Sequence, residues 1–387
     1  MQDPMLSILM VNTCCNVRAG KGMAERTMQV SRFLLKNGLQ CKILCLDIYV
    51  THPNPYGIGS ENIISLPTIS QRFFIPKFNF RLINFLVKNA DIIHMMGHWT
   101  LLNAVVYLFA RHLKKPYVIC PAGSLPVVGR SKIIKRLYNY FIGDSIILNA
   151  ASCVGITQQE IEYFHHLGIP DYKISLIPNG ICEDDFNKPH SELIKYKNDR
   201  PTNKKFILFM GRLNYIKGPD ILLNAFLQIH ENINDYDLIF CGPDEGMKIS
   251  LLNFINEHDC LNSRVHFFGD VEADDRQAVY QMADVLVVPS RQEAMSIVAL
   301  EASICNIPVI ITDMCGFNEI ASIDQDLLVP ASPEGIAKAL SILLLDPSRL
   351  QLAGQRCKEL AQNYFTWQIQ VSKYIELYQR FLNKNSS

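Results

Sequence analysis

The sequence contains no uninterrupted apolar run approaching the roughly 20 residues that a bilayer-spanning helix needs; the longest apolar segments, such as 99–110, stop well short. A spanning helix is therefore not expected. Nor does the chain open with a basic stretch leading into a cleavable apolar segment, which predicts a cytoplasmic rather than a secreted protein. Zinc-type Cys-x-x-Cys pairs are missing. The twelve cysteines are scattered, with Cys14 beside Cys15 and Cys41 and Cys45 on one predicted strand, and read as reduced, mostly buried thiols. There is no low-complexity tract, and no block of like charge resembles a nucleic-acid tail, so nucleic acid is not an expected partner. Net charge is absent too, since 37 Lys and Arg balance 37 Asp and Glu.

What the chain does have is length, apolar content and an uneven charge distribution. Its 387 residues exceed what one ordinary core supports, and with 49% hydrophobic residues they predict two domains that each bury a substantial core. Residues 1–180 carry 18 Lys and Arg against 9 Asp and Glu, whereas residues 181–387 carry 19 against 28. A basic lobe beside an acidic one suits contact with an anionic surface, although a solvated lobe gives the same count.

Short β-branched or apolar runs alternate with helical patterns along the whole chain, as expected for parallel sheets covered on both faces. Strands are predicted at 6–13, 41–46, 91–96, 117–122 and 153–157, then at 205–211, 236–242, 265–269, 285–289 and 308–312. The fold class is α/β, with two Rossmann-like doubly wound domains. Pro178-Asn179-Gly180 and the polar stretch 183–204 place the boundary near residue 180. The domains are thus 1–180 and 181–366, with a terminal helix at about 367–387.

Three strand ends carry candidate chemistry. The strand at 285–289 runs into Pro289-Ser290-Arg291-Gln292-Glu293-Ala294-Met295-Ser296-Ile297, and a helix is predicted to start near Met295. Such an edge offers free N–H groups to a phosphate. Glu293 before the helix and Glu301 about two turns into it can accept hydrogen bonds from hydroxyls, although a helix-start charge and a solvated glutamate give the same pattern. After the strand at 205–211, Gly211-Arg212 and Lys217-Gly218 place two cations ahead of another helix. Arg212 can grip phosphate oxygens in a fork and Lys217 can neutralise them, but two surface charges in a loop read alike. Gly20-Lys21-Gly22, expected as a turn before a helix start, suits close approach to a substrate, although a plain loop reads alike. The full Gly-x-Gly-x-x-Gly fingerprint is absent because Glu25 stands at its last position.

Taken together, Gly211-Arg212 with Lys217-Gly218, Cys241-Gly242-Pro243, Phe267-Phe268-Gly269, Ala283-Asp284, Val288-Pro289-Ser290 and Glu293 to Glu301 resemble the retaining GT-B glycosyltransferases of family 4. Asp91-Ile92-Ile93-His94, Thr157 with Glu160, and Pro178-Asn179-Gly180-Ile181 extend the resemblance to about residues 6–380. It implies two Rossmann-like domains with a cleft between them and a terminal helix that returns to the first. The residues matching Arg212 and Lys217 hold a donor diphosphate, Glu293 meets the sugar and Glu301 the ribose. The backbone at Met295, Ser296 and Ile297 completes a donor site that also includes Gly22, Gly211 and Gly242. No metal and no cofactor are implied beyond a nucleotide-diphosphate sugar as co-substrate.

On the acceptor side, many relatives place a histidine where this chain has Ala122, in Pro121-Ala122-Gly123. Ala122, Gly123 and His98 are the candidates there, with a structural histidine as the plainer reading of His98. Arg130, Lys132, Lys135 and Arg136, interleaved with Ile133, Ile134, Leu137 and Tyr138, suggest contact with an anionic inner-membrane surface, or else a solvated helix. The expected partners are a nucleotide-sugar donor and a glycan or lipid-linked acceptor, in the synthesis of bacterial cell-surface polysaccharide or lipopolysaccharide. A nucleotide-sugar-binding pseudoenzyme or assembly subunit, and a non-hydrolysing nucleotide-sugar epimerase, remain as alternatives.

Overall fold

The computed structural model of the chain describes residues 6–48, 54, 56–71, 73–127, 131–187 and 204–384. The chain divides into two compact units, Met1–Asn179 with Trp367–Ser387, and Gly180–Thr366.

The first unit is built on a seven-stranded sheet of β1 (Ser7–Val11), β2 (Gln40–Leu46), β3 (Ile63–Leu66), β6 (Ile92–Met96), β7 (Tyr117–Cys120), β8 (Ser152–Gly155) and β9 (Ile174–Leu176). Their order is β3-β2-β1-β6-β7-β8-β9, with every pairing parallel. A small antiparallel pair, β4 (Thr68–Ser70) and β5 (Ile75–Pro76), stands apart from it. The sequence reading missed β3 and β9 because both are short edge strands, where half-exposed residues blur the apolar run.

One face of this sheet is covered by α2 (Phe80–Asn89), α3 (Leu101–His112), α5 (Asp144–Leu148) and α6 (Gln158–His166), whose Ile83, Val106, Ile146 and Phe164 join Leu9, Ile93 and Ile119 in one core. Helix α1 (Val17–Lys36) begins earlier than expected because Asn16 caps it, its Oδ1 accepting from the Ala19 N–H at 3.1 Å. Gly20, Lys21 and Gly22 therefore lie within helical turns rather than in a glycine-rich loop.

The terminal helix α13 (Trp367–Lys384) belongs to this first unit and packs on α1 through buried Trp367, Val371, Tyr374 and Tyr378. Between them lies Arg26, fully buried. Its guanidinium donates to Ile177 O at 2.6 Å, Pro178 O at 2.9 Å, Asn179 Oδ1 at 2.7 Å and Tyr374 Oη at 2.7 Å. These bonds offset the cost of removing a cation from water and tie α13 to the segment that leaves β9.

The second unit is a six-stranded parallel sheet of β10 (Lys205–Met210), β11 (Tyr236–Cys241), β12 (Val265–Gly269), β13 (Val285–Val288), β14 (Val309–Thr312) and β15 (Leu328–Val329), in the order β12-β11-β10-β13-β14-β15. Chain direction through the sheet reverses between β10 and β13, which lie side by side. Loops leaving those two strands diverge to opposite faces, and the crevice at their carboxyl ends is where open α/β sheets take ligands. Its helices are α7 (Pro219–Ile229), α8 (Lys248–Asn256), α9 (Arg276–Met282), α10 (Ile297–Ile304), α11 (Pro333–Leu344) and α12 (Pro347–Tyr364). All twelve cysteines are free thiols.

Candidate active site

The crevice between β10 and β13 gathers the charged residues singled out from the sequence. Lys217 Nζ lies 2.6 Å from Glu293 Oε1, although 76 positions separate them in sequence, and both side chains are mostly shielded from solvent. Two loops hold the pair in place. Asn214 caps the short turn Tyr215–Lys217, its Oδ1 accepting from the Lys217 N–H at 3.0 Å. On the other side, Ser290 Oγ donates to Glu293 Oε2 at 3.2 Å while the Glu293 N–H donates to Met314 O at 2.9 Å.

The loops come so close because of glycine. Gly218 has a φ of +66°, and a Cβ there would lie 2.1 Å from Pro289 O; Gly242 has a φ of +136°, and a Cβ there would lie 1.9 Å from Gly211 O. Both positions need the missing side chain and the left-handed backbone together. Arg291 adds a clamp, donating to both carboxylate oxygens of Asp220 at 2.8 and 2.6 Å and lying over the Tyr215 ring. Arg212 leaves the same loop as Lys217 and pairs with Glu245, Nη1 to Oε2 at 2.6 Å, an oxygen that also accepts from Asn214 Nδ2 at 2.9 Å. Arg212 and Lys217 are thus each matched by a carboxylate that the sequence reading had not linked to them (Glu245) or had assigned only to the sugar (Glu293).

Helix α10 starts two residues later than expected. Ser296 is its N-cap residue, yet its side chain makes no capping bond; the Oγ is fully buried and has no hydrogen-bond partner among the described residues. A hydroxyl buried without a partner at a helix N-terminus is a ready donor to an anion, alongside the free N–H groups of the first turn. With the helix beginning at Ile297, Glu301 sits just over one turn in rather than two. It is buried, and both oxygens are engaged: Oε1 with Arg276 Nη1 at 2.8 Å and Oε2 with Tyr280 Oη at 2.6 Å. Burial, and then the Glu301 charge, hold the Tyr280 hydroxyl well above its ordinary pKa. Below the pair, burial and then the Glu293 charge push the Cys315 thiol up to about 12, so it stays protonated. Beside the Arg212 loop lies a hollow of about 150 Å³ lined by Leu213, Gly242, Pro243, Asp244, Lys248, Phe267, Gly269 and Asp270.

Gly22 is not among these residues. It belongs to the first unit, on an exposed turn of α1. An N-cap asparagine, Asn16, easily overlooked ahead of Val17-Arg18, is the signal that would have extended the helix across it.

In the first unit the acceptor-side candidates fall into two groups. Ala122 and Gly123 follow β7 in a turn with φ of +49° and +86°, and the Gly123 N–H donates to Glu160 Oε1 at 2.5 Å. Glu160 also accepts from the Ile156 N–H at 2.8 Å, and its burial raises its carboxyl pKa. His98 is buried after β6, its Nε2 3.1 Å from Asn139 Oδ1, and burial lowers its pKa to about 4. His94 lies inside β6, with Nδ1 2.5 Å from Tyr378 Oη, and burial lowers its pKa to about 3. Both imidazoles are neutral near pH 7 and hold the fold together. Among the described residues no group of three or more His, Cys, Asp or Glu could hold a metal ion.

Comparison with known proteins supplies the context. The model for "Glycosyl transferases group 1" matches residues 190–363, and that for "Glycosyl transferase 4-like domain" matches residues 21–180. D-inositol 3-phosphate glycosyltransferase of Corynebacterium diphtheriae is 34% identical over 185 residues, 46% of this chain and 43% of that protein. The matched stretches span about half the length of such curated relatives. Among solved structures, sucrose-phosphate synthase of Thermosynechococcus elongatus superposes with a TM-score of 0.76 at 20% identity, covering 98% of this chain and all of that one. HepE of Anabaena in complex with UDP gives 0.77 at 14% identity, covering 97% and 100%. At such identities these likenesses establish the fold, which is the GT-B fold expected from the sequence.

Proposed function

We propose that this chain, which belongs to the glycosyl transferases group 1 family, is a retaining glycosyltransferase. It moves a hexosyl group from a nucleotide-diphosphate sugar to a hydroxyl of a glycan or lipid-linked acceptor, in the building of bacterial cell-surface polysaccharide or lipopolysaccharide. The observation that carries the reading is the Lys217–Glu293 pair at the switch point, beside an α10 N-terminus whose buried Ser296 Oγ has no partner among the described residues. That Anabaena HepE, a protein of the same fold, was solved with UDP supports a nucleotide donor.

In this reading the diphosphate rests on the first turn of α10, held by Ser296 and the N–H groups that follow it. Lys217 and Arg212 exchange part of their carboxylate contact for phosphate oxygen, and the hollow beside Gly242 takes the base. The bond from the sugar's anomeric carbon to the phosphate oxygen breaks as the acceptor oxygen forms its bond on the same face. The acceptor proton passes to the departing phosphate. Charge developing on that phosphate is met by two cations and a helix N-terminus already in position, the usual source of the largest catalytic gain. With the cations filling that role, the reaction needs no metal, and turnover is expected to survive a chelator.

Ala122 motivates one competing reading, a subunit that binds a nucleotide sugar without transferring it, because the methyl group offers no hydrogen bond to a sugar hydroxyl. A thermal-shift panel of UDP-, GDP- and ADP-sugars, followed by a transfer assay with the donor that stabilises, separates the possibilities. Stabilisation with transfer supports the transferase. Stabilisation with neither transfer nor slow donor hydrolysis favours the subunit, and no stabilisation by any donor removes both.

A further inference from the structure

The least explained part of the first unit is the segment between β7 and α5. It comprises α4 (Lys132–Tyr138), which buries none of its residues, followed by a π-helical turn at Asn139–Gly143. Its apolar side chains point outward: Ile133 is 72% exposed, Ile134 68%, Tyr140 81% and Phe141 74%, with Leu137 half-exposed. Large apolar groups concentrated this way on ten residues are unusual for a surface in water alone.

The segment is nevertheless moored. Asn139 Oδ1 accepts from Trp99 Nε1 at 2.7 Å and meets His98 Nε2; Tyr138 Oη donates to Thr100 O at 3.0 Å; Lys135 Nζ lies 4.1 Å from the centre of the Trp99 ring. Beyond it, Ile146 and Ile147 are buried in the core. The polar anchors hold the inner side of the helix, leaving the apolar side chains to face away.

Charge narrows what this surface meets. Between residues 62 and 159 the sequence carries eleven Lys and Arg and two Asp and Glu, whereas the rest of the first 180 residues carries seven of each. The whole positive excess of this region thus lies in the stretch that contains α4, where Lys132, Lys135 and Arg136 alternate with the exposed apolar residues. A second copy presenting the same face would be repelled. Basic residues interleaved with isoleucine and aromatic rings suit the boundary of a bilayer with anionic headgroups, where the apolar chains enter the acyl region and the cations stay at the phosphates.

We propose that residues 131–143 dock the first unit onto an anionic lipid surface, with Ile133, Ile134, Leu137, Tyr140 and Phe141 entering the interface and Lys132 and Arg136 held at the headgroups. The anchors on His98, Trp99 and Thr100 then place the loop after β6 close to that surface, where a lipid-linked acceptor would be presented. The docking stands apart from the transferase reading, since vesicle binding is measured without any donor.

The test is flotation of the full chain with phosphatidylglycerol-rich and with pure phosphatidylcholine vesicles, at low and high salt. The wild-type chain is expected to float with the anionic vesicles at low salt, less at high salt, and little with the neutral ones. Each basic residue at such a surface contributes roughly fivefold, so Lys132→Glu/Arg136→Glu is expected to lower the partition coefficient by about 25-fold or more. Ile134→Asp/Phe141→Asp is expected to lose binding while keeping the circular dichroism and melting temperature of the wild type. A Phe141→Trp variant gives an independent readout, its emission moving to shorter wavelength when anionic vesicles are added. Wild-type chain that remains in solution at low salt overturns the proposal, as do variants that bind like the wild type. A concentration-dependent dimer abolished by Ile134→Asp/Phe141→Asp, without vesicle binding, assigns the face to a second copy and overturns it equally.

Discussion

Both units end their parallel strands in loops able to meet a ligand, but the two sets of loops are made of different materials. In the second unit the loops after β10 and β13 carry charges that hold one another: Lys217 with Glu293 and Arg212 with Glu245, and behind them Arg276 with Glu301. In the first unit the loops after β6 and β7 carry Ala122, a glycine turn whose N–H is taken by buried Glu160, and a buried, neutral His98. Ion pairs fix side chains in space without a ligand and can pass their cations to phosphate, so under the proposed function the second unit is preorganised for an anion. The polar groups of the first unit serve its own fold. Under the proposed function, acceptor recognition there would fall to backbone and to surfaces outside these loops, the exposed α4 segment being the most distinctive.

The largest effect should come from removing the cations. Arg212→Ala and Lys217→Ala are each expected to reduce turnover on the order of a hundredfold, the usual consequence of losing one donor to developing negative charge. A steady-state transfer assay with the donor identified by thermal shift checks this. If the pairs serve stability alone, the variants will melt earlier yet turn over normally, and the contrast between the units disappears.

Next comes Glu301, whose carboxylate is the acceptor for the buried Tyr280 hydroxyl. Glu301→Ala is expected to cost about 2 kcal/mol in urea unfolding, the range for leaving a buried donor without a partner, and Glu301→Gln distinctly less. Equal stability of Glu301→Ala and wild type would mean that this bond does not hold the helix pair.

The first unit should betray its buried histidines through pH. His94 and His98 have folded pKa values lowered to about 3 and about 4, against about 6.5 when unfolded. Below pH 6.5 the unfolded chain therefore binds protons that the folded chain refuses. Stability is full above that pH and falls as pH drops toward 4, by up to about 1.4 kcal/mol per pH unit for each histidine. Glu160, with its raised carboxyl, works in the opposite sense at the acid end. Melting curves between pH 7 and pH 4.5 should show the decline, and His98→Gln should flatten it; an unchanged slope would place His98 in water instead.

How much of this was legible in the sequence follows from how local each feature is. The ten strands predicted from the sequence were readable because each is an apolar run bounded by turn residues. The edge strands β3, β9 and β15 were not, because half-exposed residues blur their apolar runs. Arg212, Lys217 and Glu293 could be singled out because each lies in a loop leaving a strand end, and Glu301 because it lies in the helix that follows the same loop. Their partners Glu245, Arg276 and Tyr280 were missed because ion pairing depends on which loops the sheet order makes neighbours, which no local spacing states. The helical placement of Gly20 and Gly22 was missed because Asn16 caps the helix ahead of an unpromising Val17-Arg18.

The smallest expected effect concerns Ala122. Its φ of +49° is a backbone that histidine adopts more readily than most residues. Ala122→His should therefore cost less than about 1 kcal/mol, within the range of ordinary surface changes. A large loss of stability would show that the turn is closed to histidine.

Everything in the proposed reaction depends on whether the crevice between β10 and β13 receives the donor diphosphate. The most direct measurement is a crystal structure of the chain with the nucleotide sugar that stabilises it most. Phosphate oxygens are expected on Ser296 Oγ and the Ile297 N–H, with Lys217 and Arg212 turned toward them from Glu293 and Glu245. A nucleotide bound elsewhere, with both cations still on their carboxylates, would contradict that placement.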